Sequence, residues 1–212
     1  MIASKPKESE RRMRRSPVWL PSIEVESSSG TREVVLNSHH LTNRRIFING
    51  EITSETADRF VSQFLYLQEE KQPINIYINT PGGSVDAGLV IDDLIQGTDL
   101  PVNMICTGNA YSMGAILLAG GQKGRRFILP HSKVMIHEPL LSGGVGGSAT
   151  TIHNISRSIM ETKKIVNDIL SKHTGKSRKE IDKATSGDHY MNANESVEFG
   201  ICDVVTNTLV IS

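Results

Sequence analysis

The sequence has no excess of charge of either sign and no long hydrophobic run. Its 23 Lys and Arg residues balance 23 Asp and Glu residues, which leaves a formal net charge of zero. A dedicated nucleic-acid-binding domain is usually clearly basic, so this balance argues against that class of function. The longest apolar runs, such as residues 115–119, fall far short of the roughly 20 residues that a membrane-spanning helix needs. We therefore expect no transmembrane helix.

Cysteine is also scarce, and the histidines are scattered. The chain has 2 cysteines, Cys106 and Cys202, which form no CxxC pair. This pattern predicts neither a zinc site nor a disulfide framework and favours a reducing, cytoplasmic compartment. The 7 histidines do not cluster at metal-ligand spacings, so no metal site is expected. The segment Gly175-Lys176-Ser177 resembles the end of a phosphate-binding loop, but Leu170 stands where such a loop has its first glycine. We expect no nucleotide or other cofactor.

The remaining pattern is that of an α/β protein with a mostly parallel sheet. Residues 1–40 are rich in charge, Ser and Pro and are interpreted as an N-terminal arm that is partly mobile. Residues 41–212 are predicted to form one domain, in which short strands alternate with amphipathic helices. Strands are expected at 45–48, 74–79, 102–106, 126–129 and 133–136, with a turn at 107–111 and a final strand pair near the C-terminus. A long helix is expected at 149–172, after a glycine-rich stretch, and a short one near 177–185.

Ser112 lies where a buried strand turns into a helix of small residues, in the segment Gly108-Asn109-Ala110-Tyr111-Ser112-Met113-Gly114-Ala115. A serine at a helix N-terminus usually caps that helix, so a structural role is one interpretation. The other is nucleophilic catalysis, which needs a base for the hydroxyl proton and donors for the developing oxyanion.

Candidates for these roles occur at several points along the chain. The Met113 amide and the Gly82-Gly83 segment offer backbone donors, although two glycines also suit an ordinary tight turn. His137 ends an apolar strand and is a candidate base, although a single histidine there also suits a structural role. Asp188 follows a glycine and suits either a turn or the acid that orients the base.

Six motifs together resemble the Clp protease family, the ClpP-type proteolytic subunits. They run continuously from about Arg45 to Val205. They are Asn79-Thr80-Pro81-Gly82-Gly83, the Ser112 segment, Gly124-Arg125-Arg126-Phe127, Leu129-Pro130, Val134-Met135-Ile136-His137-Glu138-Pro139 and His173-Thr174-Gly175. The resemblance implies a crotonase-like spiral of ββα units with a protruding handle helix, here at about 140–173.

The resemblance also implies residue roles and partners. It makes Ser112 the nucleophile, His137 the base and Asp188 the acid, with Gly83 and Met113 as oxyanion donors. Gly82, Gly143 and Gly144 would lie along the bound peptide, paired as an added strand. Subunits of this family assemble into heptameric rings that stack as a tetradecamer. An AAA+ unfoldase of the ClpX, ClpA or ClpC type uses ATP and feeds polypeptide to the chamber.

Three departures from the family pattern keep a second hypothesis open. Glu138 replaces the usual Gln and adds a carboxylate near the imidazole. Ser186-Gly187 replaces a charged residue and an Arg that pair across rings, and residues 34–41 differ from the family's N-terminal stretch. The first hypothesis is a serine endopeptidase that degrades unfolded polypeptides. The alternative is a weakly active or inactive regulatory subunit in a mixed ring with a second ClpP paralogue. An acyl-CoA enzyme on the same fold is a third, less favoured, interpretation, because such enzymes need no Ser-His-Asp set.

Overall fold

The computed structural model describes residues 21–27, 30–141, 143–144 and 146–209. The chain divides into two compact units between Asn43 and Arg44. The first twenty residues, half of the arm inferred from the sequence, lie outside the described residues.

The first unit contains regular structure where the sequence suggested an arm. Strands β1 (Ser22–Ser27) and β2 (Gly30–Val35) pair antiparallel, and helix α1 (Leu36–Thr42) follows directly. The Leu36 N–H donates to the Pro21 carbonyl at 3.1 Å and closes the hairpin onto the helix. Alternating Ile and Val residues give this hairpin its strand period, which the charge-rich composition obscured.

The second unit is built on a parallel sheet whose strands are ordered β3-β4-β5-β6-β9. These strands are β3 (Arg45–Asn49), β4 (Ile74–Thr80), β5 (Val102–Tyr111), β6 (Arg126–Ile128) and β9 (Val204–Val205). Two further strands, β7 (Lys133–Ile136) and β8 (His189–Met191), branch from β5; β7 is parallel to β5, and β8 is antiparallel to β7. The predicted α/β class with a mostly parallel sheet is confirmed.

Helices cover this sheet and supply the core. They are α2 (Ser54–Leu67), α3 (Val85–Gln96), α4 (Met113–Ala119), α5 (Ala149–Thr174), α6 (Arg178–Ala184) and α7 (Ala193–Phe199). Every residue of α4 is buried, so this helix is hydrophobic all round and lies inside the unit. Phe60 and Phe64 of α2 stack at 5.2 Å between ring centroids and are almost fully buried.

Strand β5 is longer than predicted and fixes the position of the site. The sequence suggested a turn at 107–111 because of Gly108 and Asn109, but the strand continues through these residues. Its first half pairs with β6 and its second half with β7. The Asn79 side chain also accepts the Asn109 N–H at 3.0 Å. Nonlocal partners thus override the local turn preference.

Helix α5 has the form expected for a handle. It is 26 residues long, Ser148 caps its start, and Gly175 ends it in the left-handed conformation at φ 77°. Its buried residues, Val166, Asn167 and Leu170, all lie in its last third, and the preceding turns are largely exposed. The protruding helix of the predicted fold is therefore present.

Helix α7 was missed in the sequence, where only a final strand pair was expected. Asn192 and Glu195 form a reciprocal capping box at its start. This Asn-x-x-Glu spacing is the available sequence signal for the helix.

Candidate active site

Ser112 lies at the junction of β5 and α4 in an unusual backbone conformation. Its φ is 54° and its ψ is −120°, a region that non-glycine residues rarely adopt and that costs about 1–3 kcal/mol. Its N–H donates to the Met135 carbonyl at 2.8 Å, which holds the junction against β7. The side chain makes no capping hydrogen bond to α4, although capping was the alternative interpretation. The hydroxyl is directed to another partner.

That partner is His137, the residue directly after β7. Its Nε2 lies 2.9 Å from the Ser112 Oγ, and its Nδ1 lies 3.2 Å from the Asp188 Oδ1. With the imidazole proton on Nδ1, His137 donates to the carboxylate and accepts from the hydroxyl. The structure thus brings together all three residues that the sequence singled out.

The pairing of β7 with β8 places the base opposite the acid. Ile136 and His189 are partners in this antiparallel register, so the next positions outward are His137 and Asp188. The imidazole is largely covered, whereas the Asp188 side chain is 56% exposed. Exposure to water weakens the electrostatic effect of this carboxylate on the imidazole.

The Gly82-Gly83 loop packs directly against the nucleophile. A Cβ on Gly82 would lie 2.7 Å from the Ser112 Cβ, and one on Gly83 would lie 2.2 Å from the Ile52 carbonyl oxygen. Both glycines have positive φ, 93° and 150°. Side chains are therefore excluded at both positions by space and by backbone conformation.

Backbone donors are available on both sides of Ser112. Hydrogen bonds with Ile52 hold the loop, one to the Gly82 carbonyl and one from the Ser84 N–H, each 2.8 Å long. Within the described part of the chain, the Gly83 and Met113 N–H groups make no hydrogen bond of their own. The site of a Cβ on Gly82 is only 3.2 Å from the Met113 nitrogen, so the loop and the start of α4 border the same space.

Thr80 is a positioning residue that the sequence analysis missed. Its hydroxyl donates to the Gly50 carbonyl at 2.5 Å and accepts the Gly82 N–H at 3.0 Å. The side chain is buried, and it also occupies the space where a Cβ on Gly114 would lie. A small hydroxyl residue directly before Pro-Gly-Gly was the signal for this role.

The residues predicted to bind substrate also include Gly143 and Gly144. Gly143 and Gly144 are exposed, and a Cβ on either would meet nothing within 4 Å. Leu140, just before them, is 72% exposed. The structure records no contact between these glycines and the triad, so their role stays a prediction.

The structure shows the surroundings of two positions that depart from the family pattern, Glu138 and Ser186-Gly187. The Glu138 carboxylate accepts a hydrogen bond from Lys163 Nζ at 2.5 Å. Ser186 and Gly187 are exposed, and the Ser186 hydroxyl donates to the Lys183 carbonyl at 2.9 Å.

No competing nucleophile or metal site emerges from the described residues. Burial raises the pKa of Cys106 to about 11 and also raises the pKa of Cys202. Both thiols are buried, so neither has the exposed thiolate that reactive cysteines need. Between residues 21 and 209, excluding the gaps given above, no group of three metal-ligating side chains forms. No helix there is long and apolar enough to span a membrane.

The comparison with protein families agrees with this geometry. The family model described as Clp protease matches residues 28–208, most of the chain and all residues of the candidate triad. The chain therefore belongs to the Clp protease family.

Proposed function

We propose that this chain is a serine endopeptidase that degrades unfolded polypeptides to short peptides. The observation that carries the proposal is the 2.9 Å contact between Ser112 Oγ and His137 Nε2, made by a serine held in a strained backbone conformation. Membership of a family of serine peptidases supports the same reaction class.

The proposed reaction proceeds in two halves. His137 Nε2 takes the Ser112 proton while Oγ attacks the scissile carbonyl, and Asp188 stabilises the imidazolium that forms. The Gly83 and Met113 N–H groups donate to the oxyanion of the tetrahedral intermediate. The imidazolium then protonates the leaving amine, and an acyl-enzyme remains on Ser112. Water, deprotonated by the same imidazole, releases the second peptide.

The described residues of segment 140–144 are exposed and suit an extended substrate. The segment begins three residues after the base, and its described residues form no strand of their own. A peptide can therefore pair with this backbone as an added strand, and the missing side chains of Gly143 and Gly144 leave room for it. Main-chain pairing of this kind depends little on substrate sequence, which fits degradation of unfolded chains.

Assembly and energy supply follow the family pattern in this proposal. Clp protease subunits generally form rings that work with AAA+ unfoldases, and we propose heptameric rings stacked as a tetradecamer for this chain. The chain itself would need no cofactor, because ATP is used by the unfoldase, of the ClpX, ClpA or ClpC type.

Hydrolysis of a short fluorogenic peptide by the purified chain tests the proposal. We expect turnover by the wild type and none by Ser112→Ala, since the alanine has no nucleophilic oxygen. Ser62→Ala is the matched control, because Ser62 is exposed on α2 and bonds only to the Asp58 carbonyl among the described residues. Activity in Ser112→Ala would contradict the assignment. Turnover only after a second ClpP paralogue is added would instead support the mixed-ring alternative.

A further inference from the structure

Glu138 connects the segment that carries the base to the long helix α5. Its Oε2 lies 2.5 Å from Lys163 Nζ, and the two side chains are 39% and 24% exposed. The residue directly follows His137, so any displacement of Glu138 is transmitted through one peptide unit to the imidazole.

The backbone of Glu138 makes a second connection, to the end of α6. Its N–H donates to the Thr185 carbonyl at 2.8 Å. The buried Thr185 hydroxyl accepts from Asn167 Nδ2 of α5 at 3.1 Å. The base segment, the end of α6 and helix α5 are thus joined in a closed set of contacts.

The triad itself supplies only a weak restraint on the imidazole. The His137–Asp188 contact is 3.2 Å long, whereas charge-assisted N–H···O bonds usually measure about 2.7–2.9 Å. The Asp188 side chain is also more than half exposed. The orientation of His137 therefore depends on what holds the residues next to it.

We propose that Glu138 and Lys163 are positioning residues that keep His137 within reach of Ser112 and Asp188. This inference rests on the proposed peptidase function. The pair touches neither substrate nor the reacting atoms. Small misplacements of a catalytic group are costly in rate, so we expect loss of the contact to lower kcat about 10-fold. A partly exposed ion pair contributes little to global stability, so the unfolding midpoint should hardly move.

Asp182 is another charged group that affects the choice of variants. The hydrogen bond from Arg178 is the main cause that lowers the pKa of Asp182, the bond from Asn167 adds to it, and the charge of Lys163 makes a smaller contribution. A reversed pair would place the new carboxylate near Asp182. Conservative variants are therefore better controls than charge reversal.

The test compares variants that keep the contact with variants that remove it. Glu138→Gln retains an oxygen that accepts from Lys163, and Lys163→Arg retains a donor, so both should keep most of the wild-type kcat. Glu138→Leu and Lys163→Met should each lose about 10-fold in kcat with KM little changed. The double variant should be no worse than either single one, because the same contact is removed. Glu161→Leu and Lys164→Met, exposed positions on α5, are the matched controls.

Particle size and urea midpoint are measured on every variant. Unchanged kcat in Glu138→Leu and Lys163→Met, with an active wild type, would overturn this inference and leave the peptidase function standing. Loss of activity together with loss of assembly or stability would also overturn it, because the pair would then be structural. An inactive wild type that matches Ser112→Ala would instead contradict the proposed function itself.

Discussion

At the scale of single residues, the proposed catalysis depends on how Asp188 acts on His137. The carboxylate holds the imidazole proton on Nδ1, which leaves Nε2 free to accept from Ser112. Asp188→Asn offers an amide that can donate to Nδ1 and so favours the wrong tautomer. Because Asp188 is half exposed and its contact is long, we expect kcat to fall about 100-fold, less than for a buried triad acid.

The measurement is kcat for peptide hydrolysis, with Asp99→Asn as the control, because Asp99 is an exposed aspartate outside the triad segments. Wild-type kcat in Asp188→Asn would show that another group orients the base.

Gly83 provides a second prediction at this scale. An alanine there would place its Cβ 2.2 Å from the Ile52 carbonyl oxygen, at a φ of 150° that side chains rarely adopt. The loop must move, so its N–H leaves the oxyanion position, and we expect kcat to fall at least 100-fold. Gly146→Ala is the control, since its Cβ would meet nothing within 4 Å. Equal kcat values for the two variants would contradict the assigned oxyanion role.

How far the site can be predicted from sequence depends on the range of its interactions. Ser112 and His137 each follow a predicted strand and Asp188 follows a glycine, and these local signals made them candidates. The β7–β8 register that aligns His137 with Asp188 joins segments 51 residues apart and leaves no local signal. The bond from Glu138 to Lys163 is likewise nonlocal, so no local signal indicated this partner of the carboxylate.

At the scale of elements, the long helix α5 depends on local sequence signals, whereas the end of β5 depends on a nonlocal partner. Helix α5 begins at a side-chain cap, Ser148, and its apolar period is local, so its predicted extent of 149–172 is close to the observed Ala149–Thr174. The continuation of β5 through Gly108 depends on β7, a partner that local residue preferences cannot reveal.

The anchored end of α5 gives a pH-dependent prediction. Burial, with the nearby Lys172 and Arg126, lowers the pKa of His173 from 6.5 to about 4. The unfolded chain therefore binds more protons between these values, and His173 contributes stability above pH 6.5 that is lost as the pH falls toward 4. We expect the stability advantage of wild type over His173→Gln to grow as pH rises across this range, as measured by urea unfolding.

Asp92 should show the opposite trend and is the natural comparison. Burial, with the neighbouring Asp93, raises its pKa from 3.8 to about 6. The folded chain then holds this proton more tightly than the unfolded chain does. The free energy of unfolding of the protein therefore falls as the pH rises from about 4 to 6. Asp92→Asn should remove that loss. Parallel pH slopes for wild type and both variants would contradict these burial effects.

At the scale of the whole molecule, the exposed part of α5 bears on assembly. Met160 and Ile165 are 60% and 48% exposed on a helix that protrudes from the sheet, and exposed apolar side chains in such a place favour contact with another subunit. Replacing both with Glu should shift the particle to smaller assemblies by size-exclusion chromatography with light scattering. Ser158→Glu adds charge to α5 without removing apolar surface and should leave the particle size unchanged. An unchanged particle in the double Glu variant would place the subunit contact elsewhere.

The most direct measurement is reaction of the purified chain with a serine-directed fluorophosphonate, with size-exclusion chromatography and mass-spectrometric mapping of the label. It reports the activated nucleophile and the assembled particle together. We expect one labelled residue, Ser112, in a ring-sized particle, and no labelling after Ser112→Ala. An assembled particle that remains unlabelled at Ser112, or a label at a different serine, would contradict this expectation.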